Sequence, residues 1–305
     1  RNGEYRLLNT IRRLAFPYIL WMAVFTIAPL LLILFYALTA YDETGKLFLT
    51  LSGFKSILEG DPVILDFFGL QRFSIMVPPV INIFFRSLEI ALISTCVCFV
   101  IGYPVAYILA QRAKEKRGKS DFLLFLFVMP MWMNALLRTY AWLAILEPKG
   151  LLNTLITMSG LPEQQFIYNR FGVGLGMVYN YLPFMVLPIY SVLVKVDKSV
   201  VEAAQDLGAN KFNTFMKVIF PLTLPGIISG VNMVFLPSMT TFLIPDLLGG
   251  GRYFLIGNVI ERKYMISRDW TGASALSIVL LLFILISIRI LRNYESKNEG
   301  GNVLL

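Results

Sequence analysis

Six long apolar runs organise this chain. Five carry no charged residue, at 14–41, 90–111, 171–194, 218–245 and 270–288, and a sixth, 122–146, is interrupted only by Arg138. A helix needs about 20 apolar residues to cross a hydrocarbon core, and each run comes close to that or exceeds it. Strands of about 10 residues with alternating polarity, the mark of a membrane barrel, are absent. The pattern predicts an all-α polytopic membrane protein with six transmembrane helices.

Composition agrees, with 57% hydrophobic and 15% charged residues, against about 25% charged in a soluble domain. Charge then orients the chain. With the N-terminus placed in the cytoplasm, the segments on that side hold sixteen Lys and Arg and those on the other hold nine, Arg86 and Arg138 being the remaining two. Basic residues resist translocation, so both termini are expected to be cytoplasmic. The net charge of +8 therefore reports topology and implies no nucleic acid.

The first run follows Arg12-Arg13 and is too long for a signal-peptide core, so it reads as a retained helix bent at Pro17 and Pro29. Segment 41–79 is expected to fold as an outer cap. The second helix begins near Ile81. Arg86 and Glu89 stand three apart on it, where they can pair along one face, and Gly102 and Pro104 mark a kinked, closely approached segment. Cys96 and Cys98 point to opposite sides of this helix and serve as packing residues. In the third helix, read as one element over 122–146, Arg138, Tyr140 and Trp142 suit the membrane interface, where long basic side chains snorkel to water. Asn134 lies deeper, facing another helix or an aqueous path. Gly172, Gly174 and Gly176 open the fourth helix and permit close helix contact. The fifth carries Gly226-x-x-x-Gly230, then Asn232, then the broken stretch from Pro237 to Pro245, whose Ser238, Thr240 and Thr241 line a cavity or satisfy backbone groups freed by Pro237.

The longest polar interruption that is not a simple turn is 195–221. Ser199-x-x-Glu202 fits a capping box and Gly208 fits a left-handed helix end, predicting a short helix over 200–207. Asn210 caps a second one, in which Phe212, Phe215, Met216 and Ile219 form an apolar stripe. Gly118-Lys119-Ser120 superficially matches a phosphate loop, but Ala113 stands where that motif needs glycine and no strand precedes it. Histidine is absent, which removes His-based metal sites and general bases. Neither a clustered set of intramembrane carboxylates nor a metal spacing supports a membrane enzyme. A non-transporting scaffold would explain the helices and the polar element but not the broken fifth helix.

Glu202-Ala203-Ala204, Gly208 and Val218-x-Phe220-Pro221 resemble the EAA loop of binding-protein-dependent ABC importer permeases, with Val218 and Phe220 in place of that family's Ile and Leu. Further segments, among them Gly102–Tyr107, Leu182–Met185, Leu255–Ile260 and Arg268-Asp269-Trp270, resemble the permeases of spermidine/putrescine importers. Permeases for opines, phosphonates or iron share much of the pattern. The resemblance implies a type I ABC importer permease fold in a bacterial cytoplasmic membrane. It divides the chain into an N-terminal part (1–80), a five-helix core (81–292) and a cytoplasmic tail (293–305). It also implies a second homologous permease, an ATPase dimer and an external polyamine-binding protein. No cofactor is expected on this chain; ATP and magnesium would be used by the ATPase. In that family the EAA loop couples to the ATPase, which assigns the role to Glu202, Ala203, Ala204, Gly208 and Pro221. For the path of a flexible polycation, which needs carboxylates, carbonyl oxygens or aromatic faces, the candidates are Asn134, Tyr140, Trp142, Tyr179, Asn180, Asn232, Thr240, Thr241, Glu89 and Asp246.

Overall fold

The computed structural model describes residues 2–41, 46–65, 76–115 and 117–301, with side chains described except at 2–15, 115–121 and 292–301. The expected outer cap and C-terminal tail therefore lie partly outside the described residues. In chain order the elements are α1 (Asn2–Leu38), strands β1 (Thr39–Tyr41) and β2 (Leu47–Leu49), α2 (Ser52–Lys55), and strands β3 (Val63–Ile64) and β4 (Met76–Val77). Then follow α3 (Pro79–Glu115), α4 (Arg117–Val128), α5 (Ala135–Leu146), α6 (Leu151–Met158), α7 (Arg170–Lys195), α8 (Lys198–Asp206) and α9 (Lys211–Thr214). The chain ends with α10 (Phe220–Thr240), α11 (Leu243–Gly249), α12 (Ile256–Met265) and α13 (Trp270–Gly301). Each strand pair is a short antiparallel hairpin, with Ala40 opposite Phe48 and Val63 opposite Val77.

Among the described residues, five stretches are long and apolar enough to cross a membrane: Phe16–Leu38, Pro79–Lys114, Arg170–Lys195, Lys211–Thr240 and Trp270–Leu291. The sixth predicted span is not one helix. Phe122–Trp132 and Ala135–Met158 meet at a bend of 91°. Pro130 lies in a 3-10 turn, Met129–Trp132, after which Met133 is extended. Asn134 then restarts the chain as the cap of α5, its Oδ1 accepting the Leu136 amide at 2.8 Å. A proline followed by a good capping residue is a stop and a start, and it divides an apolar run that hydropathy reads as continuous.

The chain forms two compact units. One comprises residues 1–61 and 260–283. In it the Thr271 hydroxyl donates to the Thr39 carbonyl at 3.0 Å, and Tyr36 packs its ring 5.8 Å from that of Trp270. The Asp269 carboxylate caps α13 through the Gly272 amide at 2.8 Å and takes a bond from Lys263 at 2.6 Å.

The other unit comprises 62–259 and 284–305, and its centre is α3, α7 and α10. Met185 on α7 joins all three: a Cβ at Gly102 on α3 would lie 3.1 Å from its side chain, and one at Gly230 on α10 would lie 2.8 Å from its sulfur. Four residues earlier on α10, a Cβ at Gly226 would lie 2.9 Å from the Pro188 carbonyl. The expected Gly226-x-x-x-Gly230 face is thus the seam on which α10 meets α7. In lipid such a seam is held by van der Waals contact rather than by expulsion of water, which is why it needs small residues. Around it lie Cys98, Ala106, Val186, Ile189 and Val234, all fully buried, while Cys96 is exposed. A second cluster, nearer the α5–α11 end, contains Ile90, Leu146, Ile167, Met177, Ile244 and Leu248. Of the three glycines opening α7, Gly172 and Gly176 lie against residues 166–167 and Leu248, but Gly174 has nothing within 4 Å.

Candidate functional site

Two regions carry the candidate residues. The first is the polar element between α7 and α10. The predicted helix forms, but its cap is Asp197, not Ser199: Asp197 Oδ1 accepts the Ser199 amide at 3.0 Å and the helix runs Lys198–Asp206. An aspartate one residue before a helical start competes well with serine as a cap, and it displaces the expected box with Glu202. Glu202 is left exposed and needed for no cap. Gly208 ends the helix at φ +84°, and Asn210 caps α9 by accepting the Asn213 amide at 2.8 Å, both as expected.

The predicted apolar stripe does not stay on one face. A single π turn, Phe215–Ile219, joins α9 to α10. Its extra residue per turn rotates the helix face, so Phe215 and Ile219 turn inward while Phe212 (69% exposed) and Met216 stay outside. Leu207 is 89% exposed. The element is fastened to the membrane helices by Lys114, whose ammonium donates to the Val196 carbonyl, and by Phe215, which packs edge-on to Tyr103 and Tyr107 at 5.7 Å each. A cavity of about 310 Å³ lies beneath α8, lined by Gln111, Lys114, Lys198, Glu202 and Gln205 among others.

The Asp197 carboxyl lies below the ordinary aspartate range because the Ser199 amide and hydroxyl hydrogen-bond its charged form, with the nearby Lys114 adding to this. A depressed carboxylate stabilises the fold above its unfolded pKa and ceases to do so as the pH falls through its folded one. The protection of the Ser199–Glu202 amides against exchange, relative to the unfolded chain at the same pH, should therefore be constant at neutral pH and fall only below about pH 4. Asp197→Asn, which can still cap, should abolish that dependence, and Asp197→Ala should leave these amides less protected at every pH.

The second region is the break after α10. Helix α10 continues through Pro237 and stops four residues later, where Thr241 is extended and its amide bonds the Pro237 carbonyl at 2.9 Å. Ser238 and Thr240 donate to the Val234 and Leu236 carbonyls. The break is filled by residues 255–258. Asn258 Nδ2 donates to the Phe242 carbonyl at 2.8 Å and its Oδ1 accepts the Leu255 amide at 3.2 Å. The Ile256 amide donates to Ser87 Oγ on α3 at 2.8 Å. A Cβ at Gly257 would lie 2.6 and 2.7 Å from the Thr240 and Thr241 carbonyl oxygens. Backbone groups freed at membrane depth must be satisfied by protein, and this segment supplies the partners.

Around the break the predicted residues separate. Trp142 stacks edge-on to Tyr179 at 5.2 Å. Asn180 is buried, its Nδ2 donating to the Gly176 carbonyl at 2.8 Å and its Oδ1 left without a partner; the Asn232 Oδ1 is likewise buried and unpartnered. Tyr181 interacts electrostatically with the Thr241 hydroxyl and with Arg138. Asn134, Tyr140 and Asp246 are exposed. Asn134 caps a helix at the bend. Arg138 does not snorkel: only 8% of it is exposed. Glu89 is buried and forms an ion pair with Arg170 at the start of α7, a partner 81 positions away that helix spacing could not reveal. Arg86 places its guanidinium 5.0 Å from the Tyr253 ring centre. Sequence reasoning thus missed Tyr181, Arg170 and Asn258 as contributors. Only Asn258, directly after Gly257 in the Leu255–Ile260 segment, left a signal.

Residues 102–299 match the family described as Binding-protein-dependent transport system inner membrane component. The chain is 37% identical over 266 residues to the spermidine/putrescine transport system permease protein PotB of Escherichia coli (strain K12), covering 86% of this chain and 89% of that one. It is 42% identical over 209 residues to the protein of the same name from Haemophilus influenzae, covering 68% and 72%. Among solved structures, a chain of a bacterial alginate ABC transporter in complex with an alginate pentasaccharide-bound periplasmic protein superposes with a TM-score of 0.70 at 15% identity, covering 96% of this chain and 97% of that chain.

Proposed function

We propose, from the premise that this chain belongs to the family of binding-protein-dependent transport system inner membrane components, that it is the permease subunit of an ATP-driven importer of spermidine and putrescine. The observation that carries the substrate is its likeness, over 86% of its length, to a permease named for those two polyamines. The fold is that of an ABC importer permease.

In this reading α8 and the termini face the cytoplasm, as the distribution of Lys and Arg implies. A separate ATPase dimer, which uses the ATP and magnesium, docks on the surface that carries Glu202, Ala203 and the exposed Leu207 and Phe212. Exposed apolar residues grouped on a polar element mark a protein contact. A second permease completes the membrane path, and an external binding protein delivers the polyamine. On the path, the unpartnered carboxamide oxygens of Asn180 and Asn232 accept ammonium hydrogens, and the Trp142–Tyr179 pair offers aromatic faces to a cation. Alternating access opens this path to one side at a time, and the α10–α11 break is the segment of membrane-depth backbone suited to line it.

The test is uptake of labelled spermidine and putrescine by cells that depend on this chain, its partner permease, ATPase and binding protein. Saturable uptake that unlabelled spermidine suppresses at least tenfold is expected. Uptake of neither polyamine, or accumulation of an opine, a phosphonate or iron instead, would overturn the substrate.

A further inference from the structure

Arg138 is the strongest unexplained charge in the molecule. It lies near the start of α5, beside the fully buried Thr139, and its Nε and Nη1 are buried without a hydrogen-bond partner. A guanidinium at membrane depth is unfavourable unless an anion or several acceptors meet it. The helices packed on α5 are α6, α7 and α11. Helix α6 has no charged residue, α7 has Arg170 and Lys195, and α11 has Asp246. Arg170 is paired with Glu89, and Asp246 is exposed and makes no ion pair among the described residues. Tyr181, which interacts electrostatically with Arg138 and with the Thr241 hydroxyl, carries no negative charge at neutral pH. Among the described residues, no carboxylate pairs with Arg138.

The adjoining face of α5 is open. Leu137 (63% exposed), Tyr140, Ala141 and Ala144 are exposed, at i, i+3, i+4 and i+7, one helical stripe with two small residues of the kind that admit a close neighbour. Arg138 lies about 60° round the helix from Ala141, at the edge of that stripe.

We infer that a membrane helix of the second permease packs on the Leu137–Ala144 stripe and directs a carboxylate at Arg138. The inference rests on the two-permease reading above. Charge complementarity selects the occupant: an apolar helix carrying one acid satisfies both the stripe and the cation, whereas lipid tails satisfy only the stripe. The pair also has a consequence for transport. An unneutralised guanidinium beside the path would repel a polycation, and pairing removes that repulsion.

The test uses the complete transporter in membranes, with Cys96→Ala and Leu137→Cys in this chain and a benzophenone maleimide on the new thiol. Illumination should give an adduct with the second permease, and peptide mapping should place it within two turns of an Asp or Glu. Arg138→Glu should lower polyamine uptake at least tenfold, and changing the mapped acid to Lys in that background should restore it to within threefold of normal. Adducts with lipid alone, or failure of the charge swap to restore uptake, would overturn the pairing while a co-purifying second permease keeps the two-permease reading intact. If no second permease co-purifies with the unaltered chain, both fall.

Discussion

Glu202→Lys is expected to reduce polyamine uptake to background while the chain inserts normally. The structure separates the two outcomes. Had Glu202 closed a capping box with Ser199, its loss would weaken α8 itself; with Asp197 as the cap, Glu202 is an exposed side chain in no ion pair among the described residues. Substitutions at such positions change stability by about 0.5 kcal/mol or less, so a defect must arise from a partner. Reversing one charge at the rim or core of an interface costs several kcal/mol when it meets like charge, enough to prevent docking at cellular concentrations. Two measurements check this: uptake, and the amount of ATPase retained when the complex is purified in detergent. Both should fall together, with the chain's membrane level unchanged. Normal retention and normal uptake would remove Glu202 from the docking surface. A lowered membrane level would return it to a structural role.

The second large effect is expected at Gly257. An alanine Cβ there meets two backbone carbonyl oxygens, those of Thr240 and Thr241, at 2.6 and 2.7 Å, and backbone cannot rotate away as a side chain can. The segment must move outward, loosening the Asn258 bond to the Phe242 carbonyl and the Ile256 bond to Ser87. Overpacking of this kind costs about 1–3 kcal/mol, and at membrane depth each backbone group left without a partner adds to it. Gly257→Ala should therefore lower the detergent melting temperature and reduce uptake at least tenfold, and Gly257→Val should do more. Gly174→Ala is the control, because nothing lies within 4 Å of the new methyl and a helix interior gains from the exchange. Its stability should be unchanged or higher. If both substitutions behave alike, close approach at Gly257 is not what the glycine provides.

The spans, the polar element between the fourth and fifth of them, Gly208 as a helix end and Asn210 as a helix start were all legible in the sequence. These are properties of neighbouring residues: hydropathy sums along a window, and a cap is made by residues two or three apart. The small-residue face at Gly226 and Gly230 was legible for the same reason. Where two local signals competed, the reading failed. Asp197 and Ser199 both suit a cap, and the choice depends on where α7 ends. The third span read as continuous because its apolar content hides Pro130 and Asn134, and its 91° bend follows from those two residues together.

What the tertiary structure alone decided concerns residues far apart in the chain. It gave Glu89 to Arg170, buried Arg138 instead of letting it reach the interface, placed the helix break at Thr241 within the stretch from Pro237 to Pro245, and filled that break with Asn258 and Gly257. It also turned Phe212 and Met216 away from Phe215 and Ile219 by a single π turn. Sequence pattern sets which segments enter the membrane because transfer into lipid is additive along a segment. It does not set which polar group meets which, because inside the membrane every buried donor, acceptor and charge takes the partner that three-dimensional packing brings within reach.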